Sequence, residues 1–232
     1  MDLVYLYKKR DDENENEIIY SLRSAYENLK FDRVFFAGDC PRSIHNVVHL
    51  SFEGSDISKY RNVSSKIFNV ANNKAVSSDF IVMNDDFFIL KPYEEIPYYW
   101  YTSIGNWLKT RPYGNVHYEK MHRTRALIGD EGKVFETHFP IVYNKENLIA
   151  LYDKYKLPQN SMLRTLYCND YNIEGEEIEK DLKAKDHFDL REMMALDLPF
   201  ISTSDEASVP QEFVDIMEKR FPNKSPYEKS FL

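Results

Sequence analysis

The chain has 232 residues, a formal net charge of -8 and 43% hydrophobic residues, with 17 Tyr and 15 Phe. The aromatic load excludes a disordered chain, and the acidic balance disfavours duplex nucleic acid as a partner, although Lys120 to Arg125 form a local basic cluster. With 7 Gly and no GxGxxG or P-loop pattern, a glycine-rich phosphate loop is disfavoured. Cys40 and Cys168 belong to no CxxC pair, which argues for reduced thiols and against zinc. Residues 1–5 do not form a signal peptide, and no apolar run is long enough to span a bilayer. A cytoplasmic chain folded as one domain over residues 1–232 is expected.

In chain order, Leu3 to Tyr7 reads as a short buried strand, followed by a charged loop from Lys8 to Asn16. Ile18, Ile19, Leu22, Ala25, Tyr26 and Leu29 recur at helical spacing and predict a helix over Glu17 to Leu29. Val34 to Ala37 is a second apolar strand, with a turn at Gly38-Asp39. Strand, loop, helix, strand is the opening of a parallel α/β sheet. Val47 to Leu50 is a candidate third strand, Ser58 to Asn72 a helix, and Phe80 to Met83 another central strand that stops at Asn84-Asp85-Asp86. Apolar character resumes over Phe87 to Leu90.

The second half is less regular. Tyr98 to Tyr101 is rich in aromatics, and Lys120 to Leu127 is expected to form a pocket wall. Glu136 to Tyr143 reads as extended around its proline. Lys145 to Tyr155 and Asn160 to Tyr167 read as helices. Phe213, Met217 and Phe221 mark one face of a last helix that ends before Pro222.

The adjacent carboxylates are the most informative local feature. Ligands of open α/β sheets bind beyond the carboxyl ends of the strands, which is where the strand ending at Met83 delivers Asp85 and Asp86. Two neighbouring carboxylates repel unless a cation or donor network offsets them. A hard divalent ion held by oxygens does so and leaves room for substrate phosphates.

Several blocks, in order, carry a resemblance. Glu17 to Ser24 (EIIYSLRS) resembles the "ELRYSLRS" block of the Stealth family, hexose-1-phosphate transferases of capsular polysaccharide synthesis. Phe80 to Phe88 (FIVMNDDFF) resembles its "F-x-Y-x-NDD-x-F" block. Asp2 to Tyr5 looks like its opening "DVVY" strand, His138-Phe139-Pro140 like a short His-containing block, and Arg220 to Glu228 like its closing "FP-x-x-S-x-(F/Y)-E" block. Short phage-type glycosyltransferases are similar in arrangement and length, and their "H-x-P-I-x-(Y/F)-N-K" segment corresponds to His138 to Lys145. The chain departs from the family after the first strand, where Leu6 to Asp12 lacks the Trp and Gly of the usual "W-(V/N)-(D/N)-G-(S/T)-D" loop.

The resemblance implies a glycosyltransferase-A-like (Rossmann-like) three-layer sandwich around a mainly parallel sheet. It also implies a metal-dependent transferase, phage-encoded and acting in the host cytoplasm, that moves a sugar or hexose-1-phosphate from a nucleotide-sugar, expected to be UDP-linked, to the hydroxyl of a carbohydrate or other acceptor. Asp85 and Asp86 would hold Mn or Mg, with Asn84 positioning the pair or simply completing the turn. His138 would be the general base. Arg23 would reach the donor phosphates, its alternative being a surface ion pair with Glu27. Arg123, in the basic cluster after His122, and Lys145 and Arg220 would be further phosphate contacts. Asp39, at the second strand's end, would hold base or ribose or serve as a turn residue. Ser225 and Glu228 would tie down the C-terminus. Two other readings stay open: a non-catalytic nucleotide-sugar-binding module and a metal-dependent phosphodiesterase.

Overall fold

The computed structural model describes residues 1–11, 14–52, 59–157 and 161–229. Its first half contains β1 (Asp2–Tyr7), α1 (Asn16–Asn28), β2 (Val34–Gly38), β3 (Val48–Leu50), α2 (Lys59–Asn72), β4 (Asp79–Met83) and β5 (Phe87–Ile89). The second half contributes β6 (Tyr99–Trp100), α3 (Ile104–Thr110), α4 (Val116–Ile128), β7 (Ile141–Asn144), α5 (Lys145–Tyr155), α6 (Leu163–Asp170), β8 (Glu176–Glu177), β9 (Lys183–Ala184), α7 (His187–Met194), β10 (Phe200–Thr203), α8 (Asp205–Ser208) and α9 (Gln211–Arg220). The elements expected from the sequence appear in that order, while α3, α7, α8 and β8 to β10 are additions that it did not anticipate. The helix expected from Asn160 begins only at Leu163; Asn160 itself, Ser58 and Asp12 lie outside the described residues.

The five-stranded sheet has the order β3-β2-β1-β4-β7. β3, β2, β1 and β4 are parallel, and β7 alone runs antiparallel, on the edge beside β4. The inner strands are buried on both faces, so they read as continuous apolar runs rather than alternating ones. One face, with Leu3, Tyr5, Phe36 and Ile81, packs on Ile18, Leu22 and Ala25 of α1. The other, with Val4, Phe35, Phe80 and Val82, packs on Ile67 and Val70 of α2 and Leu148 and Leu151 of α5. The fold is therefore the expected α/β class: helices on both faces of a mainly parallel sheet.

The first crossover, through α1, leads from β1 outward to β2 and β3. The second, through α2, returns past β1 to β4. The strand order thus reverses between β1 and β4, and a crevice opens at their carboxyl ends. Gly38 ends β2 at φ +116, and a Cβ there would collide with the Tyr7 carbonyl and the Lys66 ammonium, so glycine is required.

After Asp86 the chain leaves the central sheet and enters a second sheet of order β5-β10-β9. A polar ladder on α1 fixes this transfer. Ser21 Oγ donates to the Phe87 carbonyl at 2.7 Å, Ser24 Oγ accepts from Ile89 N at 3.0 Å, and Asn28 Nδ2 donates to the Ile89 carbonyl at 2.9 Å. These residues recur at helical spacing, so one face of α1 binds the edge of β5 while the neighbouring face buries its apolar residues. No helix among the described residues is long and apolar enough to cross a membrane.

Candidate active site

A cleft of about 740 Å³ opens at the carboxyl ends of β1 and β4. Leu6, Val82, Asn84 and Phe87 line its sheet side, and His138, Asp181 and Arg164 come from the second half of the chain. Tyr101 and Trp107 form an aromatic wall, held together by the Trp107 indole donating to the Tyr101 hydroxyl at 3.0 Å. A smaller hollow of about 300 Å³ lies at the ends of β2 and β3, lined by His49, Leu50, Lys66 and Asn69 among others.

His138 reaches this edge because β7 is antiparallel. The residues that enter an antiparallel strand sit beside the carboxyl end of its partner, here β4. Arg164, on α6, clamps the approach to β7: its guanidinium donates to the Thr137 carbonyl and, at 2.5 Å, to that of Phe139. The Asp181 carboxylate accepts from His138 N at 3.0 Å and from its Nδ1. On the far side of the ring, Lys183 Nζ lies 3.3 Å from His138 Nε2 and 3.3 Å from Asp86 Oδ2. Nδ1 faces a carboxylate and Nε2 an ammonium, so Nδ1 carries the proton and Nε2 is the acceptor. Burial pushes the Asp181 carboxyl up, but the hydrogen bonds it accepts from the His138 ring and backbone nitrogen outweigh this and hold it below the usual carboxylate range.

Asp85 has the opposite fate. Burial first, then the charges of Asp86 and Glu17, push its carboxyl up to about 7. Glu17 is itself raised by burial, despite accepting from the Thr203 hydroxyl at 2.8 Å. The buried Tyr7 hydroxyl, whose ionisation the charge of Asp85 also disfavours, has no hydrogen-bond partner among the described residues. Two adjacent carboxylates, one short of positive compensation, beside an unpaired hydroxyl fit a hard cation. Among the described residues no three His, Cys, Asp or Glu side chains are grouped closely enough to hold a metal ion. Such an ion would therefore need water or substrate oxygens to complete its shell.

The other sequence-predicted residues fare differently. Asn84 lines the cleft, and its carbonyl accepts from Phe87 N at 3.3 Å, closing the turn that presents the pair. Asp39 lies at the correct sheet edge, exposed, and accepts from Lys9 N at 2.8 Å. Arg23 must be reassigned. Its side chain is 6% exposed, and its guanidinium grips Glu228 through two 2.9 Å bonds, Glu218 at 2.6 Å and the Phe221 carbonyl at 2.8 Å. Its donors are spent on fastening α1 to the C-terminal segment, so it is not available to phosphate, and its partner is not Glu27.

Arg220 is likewise committed, to the Leu90 carbonyl and, at 3.4 Å, to Glu27. Lys145 follows β7, whose direction carries it to the opposite sheet edge, where Nζ donates to the carbonyls of Asn73, at 2.6 Å, and Val76. Arg123 is exposed on α4 and does not line the cleft. Helical periodicity turns His117 and Lys120 toward it instead.

Sequence reading missed Asp181, Lys183, Glu17 and Arg164. The alternation Asp181, Leu182, Lys183, Ala184, with Leu182 and Ala184 packed inward, was the available signal for the first two. A dense run of charge from Glu174 to Asp186 obscured it.

No family model matches the chain, and no curated protein sequence matches it significantly. Solved structures show distant similarity of shape. A galactosyltransferase, LgtC, in complex with donor and acceptor sugar analogs, aligns over 94% of this chain and 96% of its own at a TM-score of 0.49 and 8% identity. A glycosyltransferase involved in glycosylation of the major capsid of PBCV-1 aligns over 94% and 97% at 0.40 and 10%. Mouse xyloside xylosyltransferase 1, in its apo form, aligns over 90% and 100% at 0.42 and 12%.

Proposed function

We propose that the chain is a glycosyltransferase-A-like enzyme of the Stealth or phage type. In this reading it moves a sugar, or a hexose-1-phosphate, from a nucleotide-sugar to an acceptor hydroxyl. The observation that carries the proposal is the contact series Asp181, His138, Lys183, Asp86 at the crevice where the strand order reverses. The ordered sequence blocks around Asn84-Asp85-Asp86 and His138 support it independently.

In this reading the donor diphosphate lies over the ends of β1 and β4, and the nucleoside over the hollow beside Lys66 and His49. Asp85 and Asp86 are the residues that would hold Mn or Mg; bound there, the ion would offset charge on the departing phosphates. His138 Nε2 takes the proton of the acceptor hydroxyl. Asp181 keeps the ring in the required tautomer and stabilises the imidazolium that forms. The acceptor oxygen bonds to the anomeric carbon, and a nucleoside diphosphate leaves with the bonding electrons. Attack at the sugar-linked phosphorus would instead release a monophosphate. Trp107 and Tyr101 offer a flat apolar wall to a carbohydrate acceptor.

A melting-temperature screen against nucleotide-sugars with Mn or Mg tests the reading. The expected result is a rise of several degrees with one donor, through binding linkage, followed by turnover whose nucleotide by-product, identified by mass, separates the two chemistries. No shift with any donor would overturn it. Binding without turnover would leave a binding module, and cleavage of a simple phosphodiester would leave a phosphodiesterase.

A further inference from the structure

The nitrogen on which that mechanism depends is occupied. His138 Nε2 has one lone pair, and Lys183 Nζ lies 3.3 Å from it. The ring cannot turn away, because Asp181 holds both its Nδ1 and the backbone nitrogen of the same residue. Phe87 meets the ring edge-on, with centroids 5.9 Å apart. An acceptor hydroxyl can therefore reach Nε2 only after the ammonium has moved.

Lys183 is built to move. It stands on the two-residue strand β9, whose backbone is fixed by pairing with β10, but its side chain is 34% exposed. It is held by one carboxylate oxygen and one neutral nitrogen, both at the long end of hydrogen-bonding distance. A diphosphate over the carboxyl ends of β1 and β4 would offer several charged oxygens in their place, a stronger attraction for an ammonium than a neutral imidazole.

Resting on the transferase reading, we propose that Lys183 is a removable cap on the base. In the donor-free protein its ammonium closes His138 Nε2. The donor diphosphate draws it off, so the same side chain binds the donor and opens the base. The acceptor is then engaged only when a donor is present. The proton of its hydroxyl passes to Nε2, its oxygen forms the new bond, and the nucleotide leaves with the electron pair while still contacted by Lys183.

The test uses the full chain with magnesium and inorganic pyrophosphate, the group that nucleoside diphosphate donors share. Pyrophosphate affinity is measured by calorimetry on wild type, Lys183→Met and Lys183→Arg. Met keeps the stem and loses the charge, Arg keeps the charge, and melting curves confirm that both fold. Lys183→Met is expected to weaken pyrophosphate about tenfold, and Lys183→Arg to retain most of the affinity. The second readout is the rate of His138 carbethoxylation by diethyl pyrocarbonate, followed by peptide mass spectrometry. This reagent needs an open ring nitrogen. Modification should be slow in wild type, several-fold faster with pyrophosphate, and fast in Lys183→Met whether or not pyrophosphate is present.

Equal pyrophosphate affinity in wild type and Lys183→Met, or a wild-type His138 rate indifferent to both pyrophosphate and the mutation, overturns the cap. Either result leaves the transferase standing if the nucleotide-sugar screen succeeds. Failure of both the screen and wild-type pyrophosphate binding overturns cap and transferase together.

Discussion

His138 and Lys145 flank the same short strand, β7, and so lie at opposite edges of the central sheet: His138 faces Asp181 and Lys183, while the half-buried Lys145 donates to the carbonyls of Asn73 and Val76. One antiparallel strand sorts two neighbouring polar residues into a site and a structural anchor.

Asp181→Asn should leave the fold and donor affinity intact while lowering kcat about 100-fold or more. An amide lets the imidazole adopt the wrong tautomer and cannot stabilise its charged form. Steady-state kinetics with the donor found by the screen decide this. An equal fall in donor affinity would mean that Asp181 shapes the site rather than the base.

Asp85→Ala and Asp86→Ala should each remove cation-dependent turnover, by about 100-fold or more, with circular dichroism unchanged. Both carboxylates stand on a turn closed by backbone atoms, so the fold does not need them. Retained activity in both variants would remove the acidic pair from the mechanism.

In buffer free of divalent ions, Asp85→Asn should stabilise the protein above pH 7. The Asp85 carboxyl titrates near 7 when folded against an ordinary value of 3.8, so the native state binds the extra proton in between. Stability from this group is therefore full below about pH 4, declines as pH rises to 7, and stays low beyond. The ionised carboxylate should cost on the order of 4 kcal/mol at pH 8, or about 10 °C in melting temperature, which the amide recovers. Melting curves at pH 4 and pH 8 check it: the gain should be small at the lower value and full at the higher.

Arg23→Ala should unfold the protein more easily, by about 3 kcal/mol in urea denaturation, because it strands Glu228, itself only 7% exposed. Donor affinity of the protein that remains folded should not change. Lys145→Ala should also leave donor affinity unchanged, since that ammonium sits at the opposite sheet edge. A tenfold loss of donor affinity in either variant would return it to the phosphate contacts.

The closing block shows how far sequence reading reaches. Ser225 and Glu228 were expected to be structural, and Glu228 does hold Arg23 while its backbone bridges to Ile44. Arg23 belongs to the same lock, but a lone arginine on a helix gives no sign of whether it faces solvent, phosphate or a distant carboxylate. Its partners Glu218 and Glu228 come from the far end of the chain. Asp181 and Lys183 were hidden for the same reason: a charged run reads as a solvated loop until a strand pairs with it and turns alternate residues inward.

The apolar runs and their spacing were enough, by themselves, to specify the strands β1 to β4, the helices α1, α2, α5, α6 and α9, the parallel opening and the delivery of Asn84-Asp85-Asp86 to a sheet edge. These depend on hydrophobic period and on local turn chemistry, which neighbouring residues carry. Only the tertiary structure decided which polar side chains meet. The direction of β7, the pairing of β9 with β10 and the docking of α9 on α1 join residues far apart in the chain, and charge partnership across such distances leaves no periodic trace in the sequence.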